Sequence, residues 1–183
     1  MRMNELIHIQ KNKKKVIYTG QKVASREFEN CIFKNCDFSN TAFFSSTFMD
    51  CEFTDCNLSM VELAGSSLKN VTFKDCKLLG IAFDACDDFL FQVYFENSVL
   101  DFASFANKKM PKTKFIQCSL RETSFIGTKL KQSSFEKCDL SRAIFNNTDL
   151  TECNFTSATN YHIDPQFTLI KKAISPKTKI REL

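Results

Sequence analysis

The sequence predicts an all-β solenoid of four-walled coils, a quadrilateral β-helix, and three observations carry that reading. From Phe28 to Phe155 a large apolar residue returns at every fifth position, interrupted once by an insertion of two residues. A helix repeats every 3.6 residues and a strand every 2, so neither writes this period; a fixed longer period marks a repeat architecture. Two residues before each large one stands a small one, as in Cys31, Cys36, Thr41, Ser46, Cys51 and Cys56. Residues two apart on an extended segment face the same way, so both point into the tube and each five-residue unit is one wall followed by a corner. Units twenty residues apart resemble each other: Phe95, Phe115, Phe135 and Phe155; Leu100, Leu120 and Leu140; Phe105, Phe125 and Phe145. Like stacks on like when four walls make a coil.

Taken in order, residues 1–22 read as a basic N-terminal arm or cap, because Lys11, Lys13, Lys14 and Lys15 precede Val16, Ile17 and Tyr18. Such a run is a solvated arm or a weak contact for nucleic acid. Residues 23–160 form the β-helix. Its first run of centres extends from Phe28 to Phe83, and nine of its twelve corner residues are Asn, Asp or Gly. These types tolerate the positive φ of a type II turn. The second run, from Leu90 to Phe155, places Phe102, Lys112, Glu122 and Arg142 at corners, so another turn type is expected there. The 26 centres amount to about six and a half coils, a rod roughly 30 Å long at the spacing of neighbouring strands. The two extra residues keep the order of the walls and read as a local bulge.

Residues 161–183 read as a C-terminal cap, since an open β-helix end exposes unpaired strand edges. Asp164-Pro165 is a helix start, Phe167, Ile170, Ala173 and Ile174 share one helical face, and Ser175-Pro176 ends it. A short capping helix is therefore expected, acting as a simple lid or as a lid through which two copies pair.

The stretches CIFKN-CDFSN, CEFTD-CNLSM and CDLSR-AIFNN-TDLTE-CNFTS resemble the pentapeptide-repeat family, over about three quarters of the chain. The resemblance implies a right-handed helix, pairing through the C-terminal end in many relatives, and, for Qnr-like and mycobacterial members, action on bacterial type II topoisomerases such as DNA gyrase. No residue is carried over as a gyrase contact. Those relatives are strongly acidic and the Qnr-like ones project sizeable loops, whereas this chain has net charge +4 and a two-residue insertion. Fold does not fix activity.

All nine cysteines fall in the small inward register. They show neither CxxC nor Cys/His clustering, so no metal site is expected. In-register parallel neighbours are poorly placed for disulfides, and free cysteine is a good small core residue suited to a reducing compartment. With no apolar run of signal-peptide or membrane-span length, a cytoplasmic protein without membrane contact is expected. His8 and His162 stand apart from any catalytic pattern and there is no Gly-rich phosphate loop, so the chain reads as a non-enzyme with no cofactor. Charge is uneven: residues 26–90 carry 11 acidic and 5 basic side chains, and residues 91–160 carry 7 and 9.

Irregularity concentrates on one wall, where Asp88, Lys108, Met110 and Pro111 interrupt the repeat. A buried charge needs a partner, so Asp88 and Lys108 are expected either to pair or to swing outward. Around the insertion Phe89, Phe91, Tyr94 and Phe102 add apolar surface, with Met60 and Leu79 on the adjoining wall. An outward apolar patch marks an interface; the alternative is that Phe89 or Phe91 turns in to fill the bulge. The leading reading is a protein-binding or scaffolding rod with an unidentified protein partner. Gyrase modulation comes second, and direct nucleic-acid binding through the basic ends is a weaker third.

Overall fold

A computed structural model describes residues 7–9 and 11–175. The chain winds as a right-handed, four-walled β-solenoid of about six turns, every strand pairing in parallel with its counterpart one coil away. Wall A holds the strands Ile7–Ile9, Glu27–Glu29, Thr47–Met49 and Ser67–Lys69. Wall B runs unbroken from Asn12–Lys14 to Ser134–Glu136 through seven strands. Wall C is made of single bridges, such as Asp37 with Asn57 and Ser119 with Asp139. Wall D begins with the strands Lys22–Ala24 and Ala42–Phe44 and continues as bridges. The insertion lies in wall A and leaves the order intact, for Phe73 pairs with Phe95 on wall B.

The core is a set of stacked columns. On wall B the rings Phe95, Phe115, Phe135 and Phe155 follow at 5.3, 5.0 and 4.8 Å with interplanar angles of 13° or less. Wall D stacks Phe83, Phe105, Phe125 and Phe145 at 4.7, 5.4 and 5.1 Å. Between walls the rings meet edge to face, as Phe115 meets Phe125 at 5.9 Å and 84°. Both arrangements suit the aromatic quadrupole.

The small inward residues do more than leave room. Thr128 Oγ1 donates to Phe105 O at 2.9 Å, Thr148 Oγ1 to Phe125 O at 2.6 Å, and Cys138 Sγ lies 3.4 Å from Phe115 O. The offset is 23 residues each time: a hydroxyl or thiol reaches down to the carbonyl of the large residue one coil below, just before the corner. Buried carbonyls need partners, which explains why Ser, Thr and Cys fill most of these positions.

Corner residues adopt positive φ in both runs, from Asn30 at 50° to Phe102 at 61° and Arg142 at 60°. The left-handed region costs an ordinary side chain roughly 1–2 kcal/mol, which the core column beside each corner offsets. The expected change of turn type shows instead in how corners close. After the insertion wall A ends its Leu130 and Leu150 units in a hydrogen-bonded turn, with Ser133 N–H donating to Leu130 O at 2.9 Å and Cys153 N–H to Leu150 O at 3.0 Å.

Two boundaries differ from expectation. The described part of the N-terminal segment is no detached arm: Lys13 pairs with Phe33 on wall B, Tyr18 stacks on Phe38 at 5.3 Å, and Val23 opens wall D. Parallel pairing with the coil above satisfies its backbone. Residues 161–175 form no helix but wind a further partial coil. Leu150 N–H donates to Leu169 O at 2.7 Å and Leu169 N–H to Thr148 O at 3.0 Å, and Thr168 is buried twenty residues after Thr148. Continuing the stack pairs the strand edge that a helix would leave open, and it sends Phe167 and Ile174 outward. Pro176 lies outside the described residues.

Candidate partner-binding surface

At the insertion the chain leaves wall D through a short 3-10 turn, Phe83–Ala85, and re-enters wall A where Asp87 N–H donates to Ser66 O at 2.9 Å. Asp87 then anchors the next turn: one carboxylate oxygen accepts Phe89 N–H at 3.1 Å and the other accepts Ser67 Oγ at 3.3 Å. The Phe89 amide holds the Asp87 carboxyl below the usual range. Leu90 takes φ 58°, and pairing resumes where Gln92 N–H reaches Leu68 O at 2.9 Å. Four residues, 88–91, must fit between these points, where the coil below has one, Ser67. Phe89 and Leu90 are therefore thrown out as a knuckle, 66% and 63% exposed, and Phe91 turns inward at 6%.

This corrects two sequence expectations. Leu90 does not occupy the inward column, and Phe91 is not part of an outward patch; it supplies the large buried side chain of wall A between Leu68 and Met110. Lys108 accounts for the arrangement. It stands where other coils carry Ser66 or Thr128, yet is only 2% exposed. Its Nζ donates to Cys86 O and, at 2.7 Å, to Asp88 Oδ1, and lies 5.0 Å from the Phe91 ring centroid. The pair expected between Asp88 and Lys108 forms, with the ammonium inside and the carboxylate at the surface. An ion this deep needs charge, hydrogen bonds and a polarisable face together, and the bulge supplies all three. Burial pushes the Cys86 thiol up to about 12 despite the neighbouring ammonium.

The remaining candidates divide between two places. Pro111 is exposed beside the knuckle and, with Met49, Asp50, Lys69, Asn70, Leu90 and Gln92, lines a shallow groove. Met110 is buried in the core. Tyr94 is half-buried on the outer face of wall B, its hydroxyl accepting from Gln92 Nε2. Met60, Leu79 and Phe102 are exposed but sit at the corner joining walls C and D, where Met60 Sδ covers Gly80. That corner lies across the coil from the knuckle, so the expected single patch is two. Apolar character in a repeat does not report which corner a residue occupies until the insertion has been placed.

Among the described residues no group of three His, Cys, Asp or Glu side chains could hold a metal ion. All nine cysteines are buried and free. No helix of the described residues is long and apolar enough to cross a membrane.

Comparison with known proteins bears on the whole rod. The family model described as a pentapeptide repeat region matches residues 26–105, and the model for eight copies of pentapeptide repeats matches residues 118–156. No curated protein matches the chain in sequence. Among solved structures, full-length QnrB1, a plasmid-mediated fluoroquinolone resistance protein, superposes with a TM-score of 0.58 at 20% identity, covering 91% of this chain and 94% of that one. A trypsin-treated QnrB1 variant gives 0.53 at 21% identity, with 93% and 91% covered. At such identities the likeness shows the fold alone. With two family models together spanning well over half its length, this chain belongs to the pentapeptide-repeat family.

Proposed function

We propose that this protein is a non-catalytic, cytoplasmic docking rod whose binding site is the Phe89–Leu90 knuckle and the groove beside it on wall A. One observation carries the reading: a coil built to bury large apolar side chains holds two of them out in solvent, on a turn anchored by Asp87 and by the Lys108–Asp88 pair. Exposed apolar groups on a rigid turn flanked by charge are what binding sites present. Nine free buried thiols suit a reducing compartment. A photo-crosslinking amino acid at position 89, introduced in cells, tests the site. An adduct of defined mass is expected; no adduct from position 89, with efficient incorporation, would sink the reading.

Modulation of a type II topoisomerase such as DNA gyrase is the second reading, favoured by the acidic excess of residues 26–90. Protection or inhibition of gyrase by near-stoichiometric protein, with and without a fluoroquinolone, is its test. No effect at large excess removes it.

A further inference from the structure

Wall A is divided by charge at the knuckle. Before it the outer face carries Glu27, Glu29 and Asp50, with Lys69 next to the knuckle; after it come Lys109, Lys112, Lys129 and Lys131, followed by Asp149 and Glu152. Elsewhere charges of opposite sign are interspersed, and three pairs form within the chain: Lys74 with Glu96 on wall B, Arg121 with Asp139 on wall C, and Arg142 with Glu122 at the next corner. Among the described residues no ion pair involves Glu27, Glu29, Asp50 or any of those four lysines after the knuckle. Charge segregated along one face, with an apolar centre, is the pattern of a surface that meets its complement.

The complement is present in the same wall. We infer that the occupant of the knuckle site is a second copy of this chain, lying antiparallel and face to face along wall A. The inference rests on the docking reading above and names its partner. Consider a two-fold axis in the plane between two facing walls, at right angles to the rods, placed half a coil before the knuckle. It reverses the order of coils and leaves each outward column facing itself.

Residues in one column are known from the ladder: Glu27, Thr47 and Ser67 form one, Glu29, Met49 and Lys69 the next, and Lys109, Lys129 and Asp149 continue the first. Glu27 lies two coils before Ser67 and Lys129 two coils after Asp87, so they oppose each other. In the same way Glu29 opposes Lys131, and Asp50 opposes Lys112 at the corner. At the centre Lys69 opposes Phe89, repeating between copies the contact it makes within its own chain, where Nζ is 5.3 Å from that ring. Each pairing occurs twice by symmetry, as an isologous interface requires. The two knuckles fall one coil apart and pass each other without collision. A parallel arrangement would instead exchange the two columns and set Glu27 against Glu29 and Lys129 against Lys131, which like-charge repulsion forbids.

The test is the mass of the full chain in solution, measured by sedimentation or light scattering at low salt. A species of about 42 kDa, twice the 21.0 kDa chain, is expected, weakening as salt rises because the pairs are exposed. Glu27→Lys with Glu29→Lys, and separately Lys129→Glu with Lys131→Glu, should each raise the dissociation constant about tenfold or more. Mixing the two variants should restore a pair, since every reversed charge then meets its opposite. Both variants alter residues on the outer face of the wall, and an unchanged unfolding midpoint confirms that they fold. A monomer at every concentration overturns the inference, as does a dimer indifferent to the reversals. The crosslink at position 89 separates this from the docking reading: an adduct of about twice the chain mass supports self-pairing, and an adduct only with another protein overturns it while leaving the docking site standing. No adduct removes both.

Discussion

Walls A and B share a coil, a period and a neighbouring core, yet one is uniform and the other is broken. Wall B repeats the same short strand and the same inward phenylalanine from Phe33 to Phe155, and Lys74 and Glu96 pair on its outer face. Wall A changes at the insertion in every respect. Three-residue strands give way to single bridges, its outer charge changes from acidic to basic, and its inward column passes from Phe28, Phe48 and Leu68 through Phe91 to Met110, Leu130 and Leu150. The difference teaches that a solenoid can carry a site without a large loop. Two extra residues suffice, provided something inside holds the turn open, and here that is a buried lysine.

The largest expected effects test the columns themselves. Phe135→Ala, in the middle of wall B, should cost about 3–5 kcal/mol by the cavity it leaves, read from the urea midpoint. Phe91→Ser should cost a similar amount if wall A closes on it as described. Its neighbour Phe89→Ser should stay within about 0.5 kcal/mol. Equal costs for these two adjacent substitutions would break the assignment of in and out at the knuckle. Lys108→Met keeps most of the volume but leaves the Cys86 carbonyl without its donor, at a cost of roughly 1–3 kcal/mol. The same variant should loosen the turn, and Cys86, inert to alkylation in the native protein, should then be the first thiol to react. Uniform protection of all nine thiols in that variant would show that the lysine does not hold the knuckle.

The smallest effect is a control from wall C. Burial works against ionisation of Asp139, yet donors from Ser141, Asn160 and Arg121 prevail and hold its carboxyl down to about 2. A carboxyl depressed in the folded state contributes stability that is fully present above its ordinary value near 3.9 and is lost as pH falls through about 2. Asp139→Asn should therefore flatten the acid limb of the stability curve between roughly pH 4 and pH 2, measured by thermal unfolding. It should do so without altering wall A, so any change in knuckle reactivity would mean the walls are coupled.

What could be read from the chain follows from what repeats. Four walls, the inward columns, the 20-residue stacking and the preserved order across the insertion were all legible, because each rests on many equivalent units. The carbonyl bonds of the small residues were also available in outline: the predominance of Ser, Thr and Cys among them is a donor signal that size alone had hidden. The Lys108–Asp88 pair was legible as one of two outcomes, since the two residues stack and a buried ion requires a partner.

The sequence by itself determined the solenoid and its class, since a period of five sustained over 26 centres admits one packing. Only the tertiary structure decided the places where that period fails. Leu90 and Phe91 are both apolar and adjacent, and nothing local says which turns in. The choice is made by an ammonium from the next coil that needs the Cys86 carbonyl, the Asp88 carboxylate and an aromatic face at once. At the C-terminus Asp164-Pro165 and the spacing of Phe167, Ile170 and Ile174 speak for a helix, but the open strand edge of the coil before it recruits the same residues as another coil. Local signals yield where a neighbouring coil offers backbone partners and a column to fill, because those partners lie twenty residues away.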